Sequence, residues 1–250
     1  MKTYIGIDIG GSHITAAVVN RTTGNIDPTS LRRAHVTSHS SADTILACWA
    51  ETICSTMGAA LQSSCQIGIA MPGPFDYENG ICWMKNVNKY DHLYGLDIRR
   101  ELAARLTISP AQICFSNDAE AFLAGEMVFG AGKGFAKGLG ITLGTGLGTS
   151  LFENGKAYDL ALGINHPLHE GVAEDYISTR WFIKRYFQLT QHPITGVKEL
   201  VDTYETNPAA RQTFDEFAQN LSRIMEEFVA LYQPDVIVFG GNIAQSSELF

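Results

Sequence analysis

Basic residues are scarce in this chain of 250 residues. There are 18 Lys and Arg against 26 Asp and Glu, a formal net charge of −8, and no run of Lys or Arg occurs. Binding to a nucleic-acid backbone rests on such residues, so nucleic acid is not an expected partner. Long apolar runs are also missing: none approaches the ~20 residues that cross a bilayer. The start, Met1-Lys2-Thr3-Tyr4, enters a strand pattern at once and has no signal-peptide core. No membrane association is expected, and a cytoplasmic location is. The five cysteines (Cys48, Cys54, Cys65, Cys82 and Cys114) never fall at C-x-x-C spacing. That leaves a thiolate zinc site without support, and the odd, scattered count argues against a disulfide framework. They read as five small buried hydrophobes. Two nucleotide signatures are absent as well. There is no G-x-x-x-x-G-K-[ST], and Gly144-Thr145-Gly146-Leu147-Gly148 lacks the spacing of G-x-G-x-x-G and runs on into a strand-like segment.

Apolar residue is plentiful. Hydrophobic residues make up 45% and charged residues 18%, enough to bury a sizeable core. Strand patterns cover residues 4–9, 14–19, 66–71, 113–116, 139–143 and 235–239. Helical patterns cover 43–61, 96–106, 119–129 and 211–232, the first carrying Ile45, Trp49, Ile53, Met57 and Leu61 at i, i+4 spacing. Their alternation predicts the α/β class. A weak repeat aligns Ile7-Asp8-Ile9-Gly10-Gly11-Ser12 with Ile141-Thr142-Leu143-Gly144-Thr145-Gly146, and goes on to set Thr15 against Thr149 and Val18 against Phe152. Two related halves follow, residues 1–118 and 119–250.

Each half carries a glycine turn, where backbone N–H groups can approach an anion with no Cβ in the way. Gly10-Gly11-Ser12 is one, Gly144-Thr145-Gly146 the second, and Gly240-Gly241-Asn242 ends a further strand. One such turn is only hairpin geometry. Three at strand ends point to a phosphate-rich ligand. Asn117-Asp118 ends a strand and opens a helix, so it reads either as an N-cap or as a general base with a hydrogen-bonding neighbour. His166 and His169 stand three apart near Glu170 and read as part of a solvated loop.

These segments, with Gly68-Ile69-Ala70-Met71-Pro72-Gly73-Pro74-Phe75-Asp76 and Asn117-Asp118-Ala119-Glu120-Ala121, resemble the ROK family of sugar kinases within the actin-like ATPase superfamily. They occur in the family's order along nearly the whole chain, and look most like the glucokinase branch that includes polyphosphate-using members. The resemblance implies a duplicated, ribonuclease H-like α/β fold with two domains around a cleft. It implies Asp118 as catalytic base and Gly73, Asn117, His166 and Glu174 as sugar ligands. Gly10, Gly11, Ser12, Gly144, Thr145 and Gly146 would hold phosphates, with Asp8 near a nucleotide-borne Mg²⁺. Gly240, Gly241 and Asn242 would border the adenosine of ATP. A first-turn helix acid is the plain alternative for Glu174. A homodimer is implied too.

The chain also departs from the family. The cysteine-rich zinc loop is replaced by residues 163–173, so no structural zinc is expected. In the Glu-x-x-His sugar motif His166 takes the histidine position, while Gly163 falls where the Glu belongs, with Asp159 or Glu170 as candidate replacements. Glu120 stands where Asn is common. The expected function is phosphorylation of a hexose hydroxyl, at the 6-position, from ATP or polyphosphate. A silent sugar- or nucleotide-binding homologue is the alternative, ahead of a repressor without its DNA-binding domain. Only nine residues follow Gly241. The resemblance implies more helices there, so a truncated chain, or one completed by another subunit, is expected.

Overall fold

The computed structural model describes residues 3–58, 65–87 and 89–250. It divides into two compact units, Met1–Ala121 and Phe122–Phe250. In the first, β1 (Thr3–Ile9), β2 (His13–Val19) and β3 (Arg32–His35) form an antiparallel meander. Helix α1 (Ala42–Met57) leads to β4 (Cys65–Met71) and a small hairpin of β5 (Phe75–Asp76) and β6 (Ile81–Cys82). Helix α2 (Ile98–Leu106) and β7 (Ile113–Asn117) follow, and α3 (Asp118–Phe129) begins in this unit and runs on into the second. The sheet order is β3-β2-β1-β4-β7, with β4 parallel to both β1 and β7.

The second unit repeats the plan. Strands β8 (Gly138–Leu143), β9 (Leu147–Glu153) and β10 (Lys156–Asp159) form a meander. Then come α4 (Leu162–Asn165), β11 (Pro167–Leu168), β12 (Gly171–Val172), α5 (Ala173–Tyr176), α6 (Thr179–Thr190), α7 (Val197–Thr203), α8 (Pro208–Tyr232) and β13 (Val236–Gly240). The order β10-β9-β8-β13 places β13 parallel to β8, as β4 lies beside β1.

Each unit has its own core. Ile5, Ile7 and Ile9 alternate along β1 with Ile67, Ile69 and Met71 along β4, and pack with Trp49 and Ile53 of α1. Burying side chains of this size stabilises by roughly 1.5–3 kcal/mol each. In the second unit Leu139, Ile141 and Leu143 pack with Phe214, Phe217, Leu221, Ile224 and Phe228, the apolar stripe of α8. On the other face of β8, Leu123 and Met127 of α3 come against Gly138 and Gly140.

The repeat holds through the glycine turns but not beyond them. Asp8 pairs with Thr15, whereas its counterpart Thr142 pairs with Gly148, so Thr15 corresponds to Gly148 rather than Thr149. Val18, opposite Ile5, likewise corresponds to Leu151, opposite Leu139, rather than Phe152. The second hairpin loop is one residue shorter. Helix α1 stops at Met57, where Gly58 adopts φ 53°, so it is shorter than 43–61, and Leu61 lies outside the described residues. The amphipathic patterns missed α6 and α7. Helix α6 buries Trp181, Phe182 and Tyr186, an aromatic set without the i, i+4 aliphatic ladder. The cysteines are not all buried. Cys65 and Cys82 are, Cys48 and Cys54 are half-buried, and Cys114 is exposed on β7, an edge strand. Burial raises the thiol pKa of Cys48, Cys54, Cys65 and Cys82.

Candidate functional site

In the first unit the candidate residues gather at the carboxyl ends of parallel strands. Asp8 pairs with Ala70, and Met71 with Asn117, so Asp8, Gly73 and Asp118 leave the sheet along the same edge. Open α/β sheets bind ligands at that edge.

Asn117 is buried, and its Oδ1 accepts the N–H groups of Ala119 (2.8 Å) and Glu120 (3.3 Å). Asn117 is therefore the cap of α3, and Asp118 is the first helical residue. The carboxylate of Asp118 is exposed, with Oδ1 accepting from Ala119 N–H at 2.9 Å. Sequence alone left the cap unassigned between the two residues; Asn117 takes it, which leaves the Asp118 carboxylate exposed. Tyr77 joins Asn117 to Gly73. Its hydroxyl donates to Met71 O (3.1 Å), accepts from Asn117 Nδ2 (3.3 Å), and lies 3.4 Å from where a Gly73 Cβ would stand. Glu120 accepts from Ser116 Oγ at 3.0 Å.

The first glycine turn is fixed from outside. The Tyr90 hydroxyl donates to Gly10 O at 2.6 Å; its ring is fully buried and meets Trp49 edge-on at 5.3 Å. Burial raises the Tyr90 pKa, so the hydroxyl remains a donor. His13 lies over Gly10, its Nε2 3.4 Å from Asp8 Oδ2. Gly10 N–H donates to His13 O. Among the described residues, the N–H groups of Gly11 and Ser12 have no acceptor.

In the second unit β8 and β13 end side by side, which brings two glycine segments together. Gly240 pairs with Thr142, and a Cβ on Gly241 (φ 88°) would stand 2.4 Å from Leu143 O. The turn at Gly144–Gly146 is held from α5 and α6. Gly144 O accepts from Thr179 N–H (2.8 Å) and Oγ1 (3.0 Å), and Glu174 Oε2 accepts from Leu147 N–H (3.0 Å). Glu174 Oε1 pairs with Arg180. Glu174 is thus a half-buried clasp on the turn, not a solvated first-turn acid. Gly144 N–H donates to Gly146 O; those of Thr145 and Gly146 have no acceptor among the described residues. Asn242 is exposed, just past the glycine pair.

His166 ends α4 and is not in a solvated loop. Its ring meets Phe228 edge-on at 4.9 Å, and Nε2 stands 3.0 Å from Glu227 Oε2, off the line of a well-formed N–H hydrogen bond. His169 Nε2 lies 2.8 Å from Asn220 Oδ1. Residues 166–169 are therefore fastened to α8 by side chains. Gly163 is buried, and a Cβ there would stand 2.1 Å from Leu147 O, so a larger residue has no room on this backbone. Of the candidate replacements, Asp159 accepts from Ala161 N–H (2.9 Å), and Glu170 is exposed in the β11–β12 turn. Among the described residues no three His, Cys, Asp or Glu side chains stand together as a metal cluster. No helix there is long and apolar enough to cross a membrane. Sequence reasoning missed Tyr77, Tyr90 and Arg180, none of which belongs to a glycine or carboxylate motif.

The ROK family model matches residues 4–165 and 169–250. The chain belongs to the ROK family. It is 26% identical to a glucokinase of Thermotoga maritima over 275 residues, 98% of this chain and 83% of that protein. It is 27% identical to the N-acetylgalactosamine kinase AgaK of a Shewanella species over 278 residues, 98% of this chain and 83% of that one. Among solved structures, a ROK glucokinase of Streptomyces griseus, in complex with glucose and AMPPNP, superposes with a TM-score of 0.77 at 22% identity. That match covers 99% of this chain and 85% of the other. The ROK chain thus has the α/β fold of the actin-like ATPases.

Proposed function

We propose that this ROK protein is a sugar kinase that transfers the terminal phosphoryl group of ATP to a hexose hydroxyl, at the 6-position. Polyphosphate is the alternative donor. The observation that carries the reading is the division of labour at Asn117-Asp118. Because Asn117 supplies the cap, Asp118 can present an exposed carboxylate at the head of α3. Asp118 takes the proton of the attacking hydroxyl. Gly73 and Asn117, linked through Tyr77, bind the acceptor sugar, with His166 and Glu174 as further ligands.

The N–H groups of Gly11 and Ser12, and of Thr145 and Gly146, meet phosphate oxygens. Phosphoryl transfer is mainly positioning and charge stabilisation, which fixed donors supply. Gly240, Gly241 and Asn242 border the adenosine. The metal donors present fit an ion that arrives on the nucleotide: Asp8 is an exposed carboxylate beside the first turn, 3.4 Å from His13 Nε2, and Mg²⁺ commonly takes one or two carboxylates plus phosphates. Such an ion would offset phosphate charge. Residues 1–118 form the sugar- and phosphate-binding domain and residues 119–250 the nucleotide-binding domain, which adds His166 and Glu174 to the sugar contacts, in a cytoplasmic homodimer.

The test is a coupled assay over a panel of hexoses and N-acetylhexosamines, with ATP and polyphosphate as donors. At least one sugar should turn over, and Asp118→Asn should lower kcat by ~10²–10⁴ while sugar binding is kept. A variant with near-normal kcat would sink the base assignment.

A second reading, binding without catalysis, is favoured by Gly163, which leaves no room for an acidic side chain, and by the engagement of both Glu174 oxygens. Sugar binding without turnover across the panel would support it.

A further inference from the structure

We propose that Lys89 is a phosphate-binding residue of the first glycine turn, its ammonium meeting the phosphate chain that lies over Gly10–Ser12. The inference rests on the kinase reading but is carried by a separate observation. Lys89 Cδ stands 3.9 Å from where a Cβ on Gly11 would be. The methylenes of Lys89 therefore lie alongside the turn, and the ammonium, two bonds further on, reaches about 2.5 Å beyond Cδ.

The position is held by its surroundings. The segment 83–95 is strapped at its base, where Cys82 N–H donates to Leu96 O (3.1 Å) and Gly95 N–H to Cys82 O (2.7 Å). Halfway along, Asn86 N–H donates to Asp91 Oδ1 (3.0 Å). Next to Lys89, Tyr90 is anchored twice, by its N–H to Ser38 O (3.0 Å) and by its hydroxyl to Gly10 O (2.6 Å). The residue that places Lys89 is thus bonded to the turn itself.

The two glycine turns carry opposite attendants. Beside Gly146 stands a carboxylate, Glu174, engaged by Leu147 N–H and Arg180. Beside Gly11 stands a lysine. A lysine whose stem runs beside Gly11, in a turn where the N–H groups of Gly11 and Ser12 have no acceptor among the described residues, suits a polyanion. Lys89 donates hydrogen bonds and offsets charge on the phosphoryl group, with no part in the proton transfer assigned to Asp118.

The test is calorimetric titration of the protein, Lys89→Gln, Lys89→Met and Lys89→Arg with inorganic tripolyphosphate, alongside steady-state kinetics and thermal unfolding. Lys89→Gln and Lys89→Met should bind tripolyphosphate at least ~10-fold more weakly, as expected for loss of a hydrogen bond to a charged group. Lys89→Arg should come within a few-fold of the parent. In turnover, the neutral variants should raise the donor KM or lower kcat and leave the sugar KM unchanged. Parent-like tripolyphosphate affinity in a folded neutral variant would overturn the proposal, as would a parent protein that does not bind tripolyphosphate. If binding depends on Lys89 but no sugar is phosphorylated, the kinase reading fails and the assignment of Lys89 stands.

Discussion

Asn117 and Asp118 show how much depends on a single register position. A side-chain oxygen at the cap satisfies helix N–H groups that have no partner within the helix. Because Asn117 does this, Asn117→Ala should cost about 1 kcal/mol of stability and also disturb Asp118. Asn117→Asp should keep the cap but lose the Nδ2 donor to Tyr77. Denaturant unfolding of the two variants separates these effects: only the alanine variant should be clearly destabilised, and both should bind sugar less well. Gly241 is a second residue with no freedom to change. Its positive φ and its approach to Leu143 O leave a Cβ 2.4 Å from backbone. Gly241→Ala should destabilise by roughly 1–3 kcal/mol, read as a lower urea midpoint.

At the scale of elements, six strands (β1, β2, β4, β7, β8 and β13) and four of the eight described α-helices (α1, α2, α3 and α8) were legible because alternation and the 3.6-residue period are written in aliphatic side chains. The stretch from Ser178 to Thr203 was not, since the buried face of α6 is aromatic (Trp181, Phe182 and Tyr186) rather than aliphatic and α7 is short. The glycine motifs were legible as turns. Their attendants Tyr77, Tyr90 and Arg180 were not, because they act through the fold rather than along the chain, and Glu174, named as a sugar ligand, was not foreseen as a clasp on the turn. The contact of α6 with α8 includes a bidentate pair, Arg185 Nε–Glu216 Oε2 (2.5 Å) and Nη2–Oε1 (2.6 Å). Its hydrogen bonds hold the Glu216 pKa below the ordinary value of 4.5. A depressed carboxylate stabilises the fold above its unfolded pKa and loses that contribution as pH falls through its folded value. Glu216→Gln should therefore lower Tm at pH 7 by a few degrees, for a pair worth about 1 kcal/mol. The gap between the variant and the parent should close as pH falls below 4.5 and Glu216 itself becomes protonated.

Over the whole molecule, composition settled charge balance and class but not the pairing of its parts. The net charge of −8 and a pI near 5.3 predict a solubility minimum close to pH 5.3, measurable by precipitation across a pH series. The duplicated plan was legible from two glycine turns. The offset inside it was not, because only strand register reveals a loop one residue shorter. That missing residue makes the two halves unequal as building parts. A side chain's face alternates with every step along a strand, so a one-residue slip exchanges inside for outside. Thr15 is half-exposed while Thr149, its partner by sequence, is buried and accepts Leu162 N–H at 2.9 Å. A chimera built by matching the halves letter for letter would turn its second strand inside out. One spliced at the turns, loop and strand together, would keep each face where its own core needs it.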